Sequence, residues 1–136
     1  MPYALPSIPS AALLILRLFV GYAFIVHGWG KIQSPMSWMP EMSPVPGILQ
    51  ALAAIAEFGG GIALILGLLT RLAAFGLTCT MAVATYMHLV AFGDSLIATK
   101  SGSSAEPAAT YLVISILLLA LGAGKFSIDR KIFGEK

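Results

Sequence analysis

Charged side chains are scarce in this sequence of 136 residues: only 10% are charged, whereas 58% are hydrophobic. A soluble domain of this size needs a polar surface that the chain cannot supply. The mean hydropathy of +0.91 therefore indicates a protein whose main solvent is the lipid bilayer. The net charge of +2 is small and dispersed along the chain, so we expect no nucleic-acid partner.

Cysteine is almost absent too. Cys79 is the single one, so the sequence can form no internal disulfide and supplies no cysteine set for an iron–sulfur cluster. It also contains no haem-attachment or dinucleotide-binding motif. We therefore predict no covalent cofactor. Redox chemistry would need a noncovalent group, with quinone as a possible one, and a partner protein.

Four long apolar runs make up most of the chain, each close to the roughly 20 residues that a helix needs to cross the hydrocarbon of a bilayer. Uninterrupted runs of this length are too long for the strands of a membrane barrel. The sequence predicts a single all-α domain over residues 1–136, a four-helix transmembrane bundle with antiparallel neighbours. The predicted helices cover residues 11–31, 48–69, 71–92 and 108–124, with Thr70 as a candidate N-cap of the third.

The loops give an orientation. With both termini on one side, five bases lie on that side and two on the other. The positive-inside rule then places both termini in the cytoplasm. The first group is Arg71, Lys125, Arg130, Lys131 and Lys136, and the second is Lys31 and Lys100.

Glu57 is an ionisable residue inside the second run, followed by Gly59, Gly60 and Gly61. Such a group is costly in the membrane and needs an internal partner. Small residues recur there at steps of three and four, which favours close approach of another helix along that stripe. We expect Gly60 to lie between the first and second helices, where any side chain would push them apart, and we interpret Gly60 and Gly67 as packing residues.

Helical rise places two histidines, His27 and His88, at one level in the outer half, with Glu57 leaning toward it. We predict contact between Glu57 and His27, direct or through one bridging atom, with His88 in the same cavity and Tyr111 near it. Thr85 and Ser115 complete the predicted lining.

Pairing of Glu57 with Arg17 is the alternative, and it would shift the site inward and leave His27 as an interfacial residue. Arg17 can instead anchor the helix at the cytoplasmic interface. A buried pair of this kind also serves simply to fix helix register. The two histidines and the carboxylate would come from three helices with no spacing motif, so we predict no metal site.

Several of these residues fall into a pattern that resembles the DoxX family of small bacterial inner-membrane proteins. The pattern runs Arg17-x-x-x-Gly21-x-x-Phe24-x-x-His27-Gly28-x-x-Lys31, then Glu57-x-x-Gly60, Gly67-x-x-Thr70-Arg71 and Ser127-Ile128-Asp129. The resemblance implies a four-helix membrane fold and kinship with the small subunit of membrane thiosulfate:quinone oxidoreductase. It also implies roles for Arg17, His27, Lys31, Glu57, Thr70, Arg71 and Asp129.

Three functions remain open at this point. The first is a membrane subunit or partner of a quinone-linked oxidoreductase, with His27, Glu57 and Tyr111 serving the quinone and Lys31 as an outer electrostatic stabiliser. The second is a non-catalytic scaffold for partner proteins. The third is a small transporter, which four helices could form only as a homo-oligomer.

Overall fold

The computed structural model describes residues 5–99 and 102–134, and the described chain is helical, with only one isolated β-bridge, between Ser95 and Ser104. The all-α class is confirmed. Five α-helices follow one another: α1 (Ser7–Gln33), α2 (Gly47–Leu66), α3 (Thr70–Tyr86), α4 (Glu106–Leu121) and α5 (Ile128–Phe133). A π-helical turn, Met87–Ala91, continues α3. The predicted bases Lys100 and Lys136 lie outside the described residues.

Three of the helical segments are long and apolar enough to cross a membrane: α1, α2 and the continuous stretch Thr70–Ala91. The fourth, α4, is apolar but has only 16 residues, about 24 Å at the rise of an α-helix. Several bounds differ from the sequence-based expectation: α2 ends at Leu66 and α4 at Leu121, each three residues before the predicted end. α1 begins at Ser7, before the predicted start, and the charged tail contains the short helix α5.

Glycines bring α1 and α2 into close contact. A Cβ built on Gly21 would lie 2.7 Å from the carbonyl oxygen of Gly61, and one on Gly28 would lie 2.6 Å from the amide nitrogen of Phe58. The prediction that Gly60 lies between these two helices is wrong. Gly60 faces Leu77 of α3, whose side chain lies 3.3 Å from the position of a Cβ. Consecutive residues of a helix face directions about 100° apart. Gly60 and Gly61 therefore face different helices.

The turn between α2 and α3 is held by unusual backbone geometry. Gly67 ends α2 in the left-handed region at φ 65°, and Leu69 adopts φ 50°, which is costly for a residue with a Cβ. Leu69, and not Thr70, occupies the N-cap position of α3. The capping group comes from Asp129, whose two carboxylate oxygens accept hydrogen bonds from the amides of Leu69 (2.6 Å) and Thr70 (2.9 Å).

The core runs along the axis of the bundle and is built from α1, α2, α3 and α4. Its buried members are Leu13, Val20, Phe24, Leu64, Ala74, Leu77, Met81 and Leu118. Many large apolar side chains on the outside of the same helices are exposed, among them Phe19, Leu52, Leu72 and Val113. Such a surface is stable when lipid surrounds it.

Candidate functional site

An ion pair joins α1 to α2 at one end of the bundle. Lys31 Nζ lies 2.8 Å and 2.7 Å from the two carboxylate oxygens of Glu57. The Glu57 side chain is only 3% exposed, whereas that of Lys31 is 26% exposed. Lys31 Nζ also lies 4.4 Å from the ring centroid of Trp38, within cation–π range. The buried carboxylate is therefore neutralised by an ammonium that remains in reach of solvent.

The sequence sets up this pair locally. Gly28, one turn before Lys31, lets the C-terminal part of α1 touch the backbone of α2 at Phe58, directly beside Glu57. A lysine side chain in a helix points back toward the N-terminus, so Lys31 reaches down to the level of Glu57. The predicted contact of Glu57 with His27, and the alternative with Arg17, are both wrong: Lys31 is the ion-pair partner.

The loop of residues 34–46 lies beside the Lys31–Glu57 pair, and hydrogen bonds to Gln50 hold this loop in place. The Gln50 side chain accepts a hydrogen bond from the Met39 amide (3.0 Å) and donates one to the Val45 carbonyl (3.0 Å). Trp38 Nε1 donates to the Gln50 carbonyl (2.8 Å). Gln50 is not among the site residues predicted from the sequence. Its signal was an amide side chain in the first turn of an apolar helix that follows a proline-rich loop.

The Lys31–Glu57 pair opens onto a cleft of about 790 Å³ between α2 and α3. Leu52, Phe75 and Val83 contribute to its predominantly apolar wall. His88 lines the same cleft, as expected, and Phe92 stacks edge-on against it with ring centroids 5.5 Å apart. The cleft therefore combines an apolar slot with an ammonium, a carboxylate and an imidazole.

His88 is held by the loop that follows it. Its Nδ1 lies 2.7 Å from an Asp94 carboxylate oxygen, which also accepts a hydrogen bond from Ser103 Oγ at 2.8 Å. The hydrogen bond from His88, and then that from Ser103, lowers the pKa of Asp94. The π-helical turn widens the helix at this point. The helix ends there, and the amide of Asp94 donates a hydrogen bond to the carbonyl of His88. The imidazole orientation is thus fixed by an acceptor outside the helix.

His27 and Tyr111 are on another side of the bundle, where α1 meets α4. The His27 and Tyr111 ring centroids lie 6.2 Å apart, and Phe24 lies 5.0 Å from Tyr111. The His27 side chain is exposed, and neither residue is among those that line the α2–α3 cleft. The predicted single cavity is therefore divided. Thr85 and Ser115 bind the carbonyls of their own helices.

The opposite end of the bundle contains Arg17, which is fully buried. Its guanidinium donates to the carbonyls of Leu64, at the end of α2 (3.3 Å), and Phe126, in the tail. The expectation of an interfacial anchor is wrong, because the side chain binds main-chain oxygens instead of reaching water. Gly67 leaves the space for it: a Cβ there would overlap Arg17 Nη1.

Asp129 completes a clasp at the end of the bundle where the α2–α3 turn meets the tail. We define it as Arg17, Gly67, Leu69, Ser127 and Asp129 and call it the inner clasp, after the side of the membrane that we propose for it. The Asp129 amide donates to the Gly67 carbonyl (2.8 Å), and Ser127 Oγ caps α5 by accepting from the Arg130 amide (3.2 Å). Four of the five residues belong to the motif pattern of the sequence. At this end the motif supports the turn between α2 and α3.

Within residues 5–99 and 102–134, no group of three or more His, Cys, Asp or Glu side chains is arranged to hold a metal ion.

Comparison with known proteins gives one family and two relatives. Residues 12–90 match the family described as DoxX. An uncharacterized protein of Haemophilus influenzae is 35% identical over 123 residues, which is 89% of this chain and 90% of the relative. The inner membrane protein YqjF of Escherichia coli is 34% identical over 133 residues, 91% of this chain and 94% of the relative. No solved structure matches the chain significantly.

Proposed function

Because the chain belongs to the DoxX family and is a multi-pass protein of the bacterial inner membrane, we propose that it is the membrane subunit of a quinone-linked oxidoreductase. In this proposal the quinone binds in the α2–α3 cleft. The observation that carries the proposal is the cleft itself: about 790 Å³ of predominantly apolar space with Lys31, Glu57 and His88 in its lining. Ligand sites of small molecules have this size and this mixture of surfaces.

The polar groups suit the two ends of a quinone head. A quinone carbonyl oxygen accepts hydrogen bonds, and an ammonium and an imidazole N–H can both donate them. Lys31 can serve one carbonyl while keeping its charge balanced by Glu57, which lies 2.7 Å away. His88 can donate Nε2–H to another carbonyl when the ring carries both protons, because its Nδ1 is already bonded to Asp94. The apolar walls, Leu52 and Phe75 among them, suit the isoprenoid tail.

Reduction of a quinone to a quinol takes two electrons and two protons. The electrons come from the partner protein, since the chain has no cysteine set or haem motif of its own. Protons reach the cleft from water through Lys31, whose side chain is 26% exposed, and through His88, whose bonded neighbour Asp94 lies in the polar loop. The chain thus orients the head and supplies the proton path.

Orientation in the membrane is part of the proposal. Ser10 Oγ accepts a hydrogen bond from the Lys125 amide (3.2 Å), so the beginning of α1 and the tail after α4 meet at the same end of the bundle. We infer four spans within one domain, with both termini in the cytoplasm, because Arg71, Lys125, Arg130 and Lys131 are all on that side. The quinone cleft then lies in the outer half.

The test is quinone binding to the purified protein in lipid nanodiscs, measured as a shift of the thermal midpoint with a short-tailed quinone. We expect a concentration-dependent stabilisation of the wild type. Glu57→Gln should weaken it, because the variant changes the charge on Lys31's partner. Glu41→Gln, which alters an exposed carboxylate of the loop outside the cleft, is the control. A wild-type midpoint that does not move with quinone would reject the proposal.

A non-catalytic scaffold is the second candidate. It is favoured by one observation: both Glu57 oxygens bind the same ammonium, so the pair is satisfied without a ligand. A scaffold predicts that Glu57→Gln and Lys31→Met lower protein abundance and partner co-purification together, with no quinone-dependent stabilisation in any variant.

A further inference from the structure

A second cleft, of about 440 Å³, lies at the inner end between the start of α3, the end of α4 and α5. Its polar rim contains Arg71, Lys125 and Arg130, and its apolar part contains leucines of α3 and α4 together with Phe133. We propose that this inner cleft binds the phosphate of an anionic phospholipid. The site is separate from the quinone cleft and does not depend on the proposed function.

The charge of the lining is the first argument. Three of the chain's eight bases line this cleft together with a single acid, Asp129. Both Asp129 oxygens already accept hydrogen bonds from main-chain amides of the α3 N-terminus. Asp129 keeps its negative charge in this position, and three bases against one acid leave the lining a surplus of positive charge that attracts an anion.

The shape around Arg71 is the second argument. Its guanidinium lies against Gly122, where a Cβ would be 3.2 Å from Nε. Arg71 Nη2 donates to the carbonyl of Ala120 (3.3 Å), which leaves other N–H groups of the fork able to bind a phosphate oxygen. Gly122 and Gly124 both have positive φ, 75° and 78°. They carry the chain around the end of α4, so that Lys125 joins the rim.

The mixed character of the cleft decides the ligand class. A soluble phosphate needs only the bases, whereas this cleft also presents Leu72, Leu121 and Phe133, which are exposed to at least two-fifths. Leu72 lies at the start of the membrane-crossing segment Thr70–Ala91, Leu121 at the end of the apolar helix α4, and Phe133 at the end of α5, all beside the bases. A phosphodiester above acyl chains fits both parts of the surface, as basic pockets between membrane helices do for anionic lipid head groups.

The experiment is native mass spectrometry of the detergent-solubilised protein with phosphatidylglycerol or phosphatidylcholine, together with its thermal midpoint in each lipid. The wild type should retain phosphatidylglycerol in preference to phosphatidylcholine. Arg71→Gln with Lys125→Gln should lower the phosphatidylglycerol affinity roughly twenty-five-fold, at about fivefold for each base. Lys131→Gln is the matched control, since it removes the same charge from α5 but does not line the cleft, and it should change the affinity less than about twofold.

Two results would overturn the proposal. One is equal retention of the two lipids by the wild type, which needs no variant and stands even if the double variant fails to fold. The other is an equal loss in the double variant and in Lys131→Gln, which would mean a general surface charge effect. Inorganic phosphate alone is tested in parallel. If phosphate raised the thermal midpoint as much as phosphatidylglycerol does, the lipid would be rejected as the ligand.

Discussion

The two ends of the bundle both hold charged side chains in an apolar protein, but they bind different partners. At the inner clasp, Arg17 and Asp129 bind main-chain carbonyls and amides. At the other end, Lys31 binds Glu57 and His88 binds Asp94, side chain to side chain. The inner partners belong to helix ends, which cannot move without unfolding a turn. The outer partners are side chains, which can change rotamer while the helices stay in place.

This difference indicates which end holds structure and which end is suited to a ligand. A helix end buried without partners is costly, so Arg17 and Asp129 stabilise the fold by satisfying the end of α2 and the start of α3. An ammonium that binds a carboxylate can exchange part of that contact for a ligand oxygen while the pair stays charged. The outer end also has the larger open volume, about 790 Å³ against 440 Å³.

The strongest test of this contrast is Arg17→Ala. The change leaves the carbonyls of Leu64 and Phe126 without their donor and opens a cavity among buried side chains. We expect the free energy of unfolding to fall by about 3–5 kcal/mol, the contribution of two hydrogen bonds from a charged group. The readout is the loss of the monodisperse peak in size-exclusion chromatography. Arg71→Ala removes an exposed arginine that also binds a carbonyl and should be mild. Equal losses in the two variants would contradict the structural role of the inner clasp.

A smaller effect is expected at the ion pair, and it should be unequal between the partners. Lys31→Met leaves the buried Glu57 carboxylate without its ammonium, and we expect a cost of about 2 kcal/mol. Glu57→Gln leaves a lysine that is 26% exposed and can turn toward water, at about 1 kcal/mol.

The double variant Lys31→Met with Glu57→Gln should cost less than the sum, because each single change strands the other partner. Reversible unfolding in detergent measures all three. Strict additivity would show that the two residues do not act as a pair and would remove the contrast between the ends.

The depth of each polar residue was readable from the sequence, because helical rise depends only on counting. Counting residues predicted Arg17 in the inner part of the bundle and Glu57 and His88 in the outer part. Glu57 and His88 do line one cleft. The helix boundaries were close for the same reason: apolar runs of this length end where polar loops begin. The bases at Arg71, Lys125 and Arg130 also lie at one end of the bundle, as expected.

Which residue meets which was not readable, for two physical reasons. Depth counted along the backbone ignores the reach of the side chain, so it pointed to His27 as the partner of Glu57 and not to Lys31, one turn further along α1. Contacts distant in sequence carry no local signal: Asp129 caps α3 from 60 residues beyond Leu69. Likewise the small-residue stripe indicated close packing, but the choice between Gly60 and Gly61 depends on the rotation of α2, which periodicity does not fix.

The three consecutive glycines of α2 sharpen the contrast in the middle of the bundle. Gly61→Ala would place a Cβ 2.6 Å from the Gly21 carbonyl oxygen, a backbone atom, and should destabilise by about 1–2 kcal/mol. Gly60→Ala meets only the flexible Leu77 side chain at 3.3 Å and should be close to neutral.

Gly59 has open space around it, so Gly59→Ala should stabilise by about 0.5–1 kcal/mol through helix propensity. Thermal midpoints of the three variants give the ranking. If Gly60→Ala were the most damaging, the tight interface would be that of α2 with α3, and the cleft could not open there.

The smallest effect should come from Asp94, at the rim of the outer cleft. His88 and Ser103 lower its pKa below the ordinary value of 3.8. A carboxyl with a lowered pKa contributes stability that is fully present above its unfolded pKa and is lost as the pH falls through its folded pKa. The midpoint difference between the wild type and Asp94→Asn should therefore be largest above the ordinary pKa of 3.8 and shrink as the pH falls below it. Glu41→Gln, in the other outer loop, should show a difference that stays small throughout. A difference that stays constant or grows on acidification would mean that Asp94 does not hold His88, and that the outer end lacks the adjustable pair on which its contrast with the inner clasp depends.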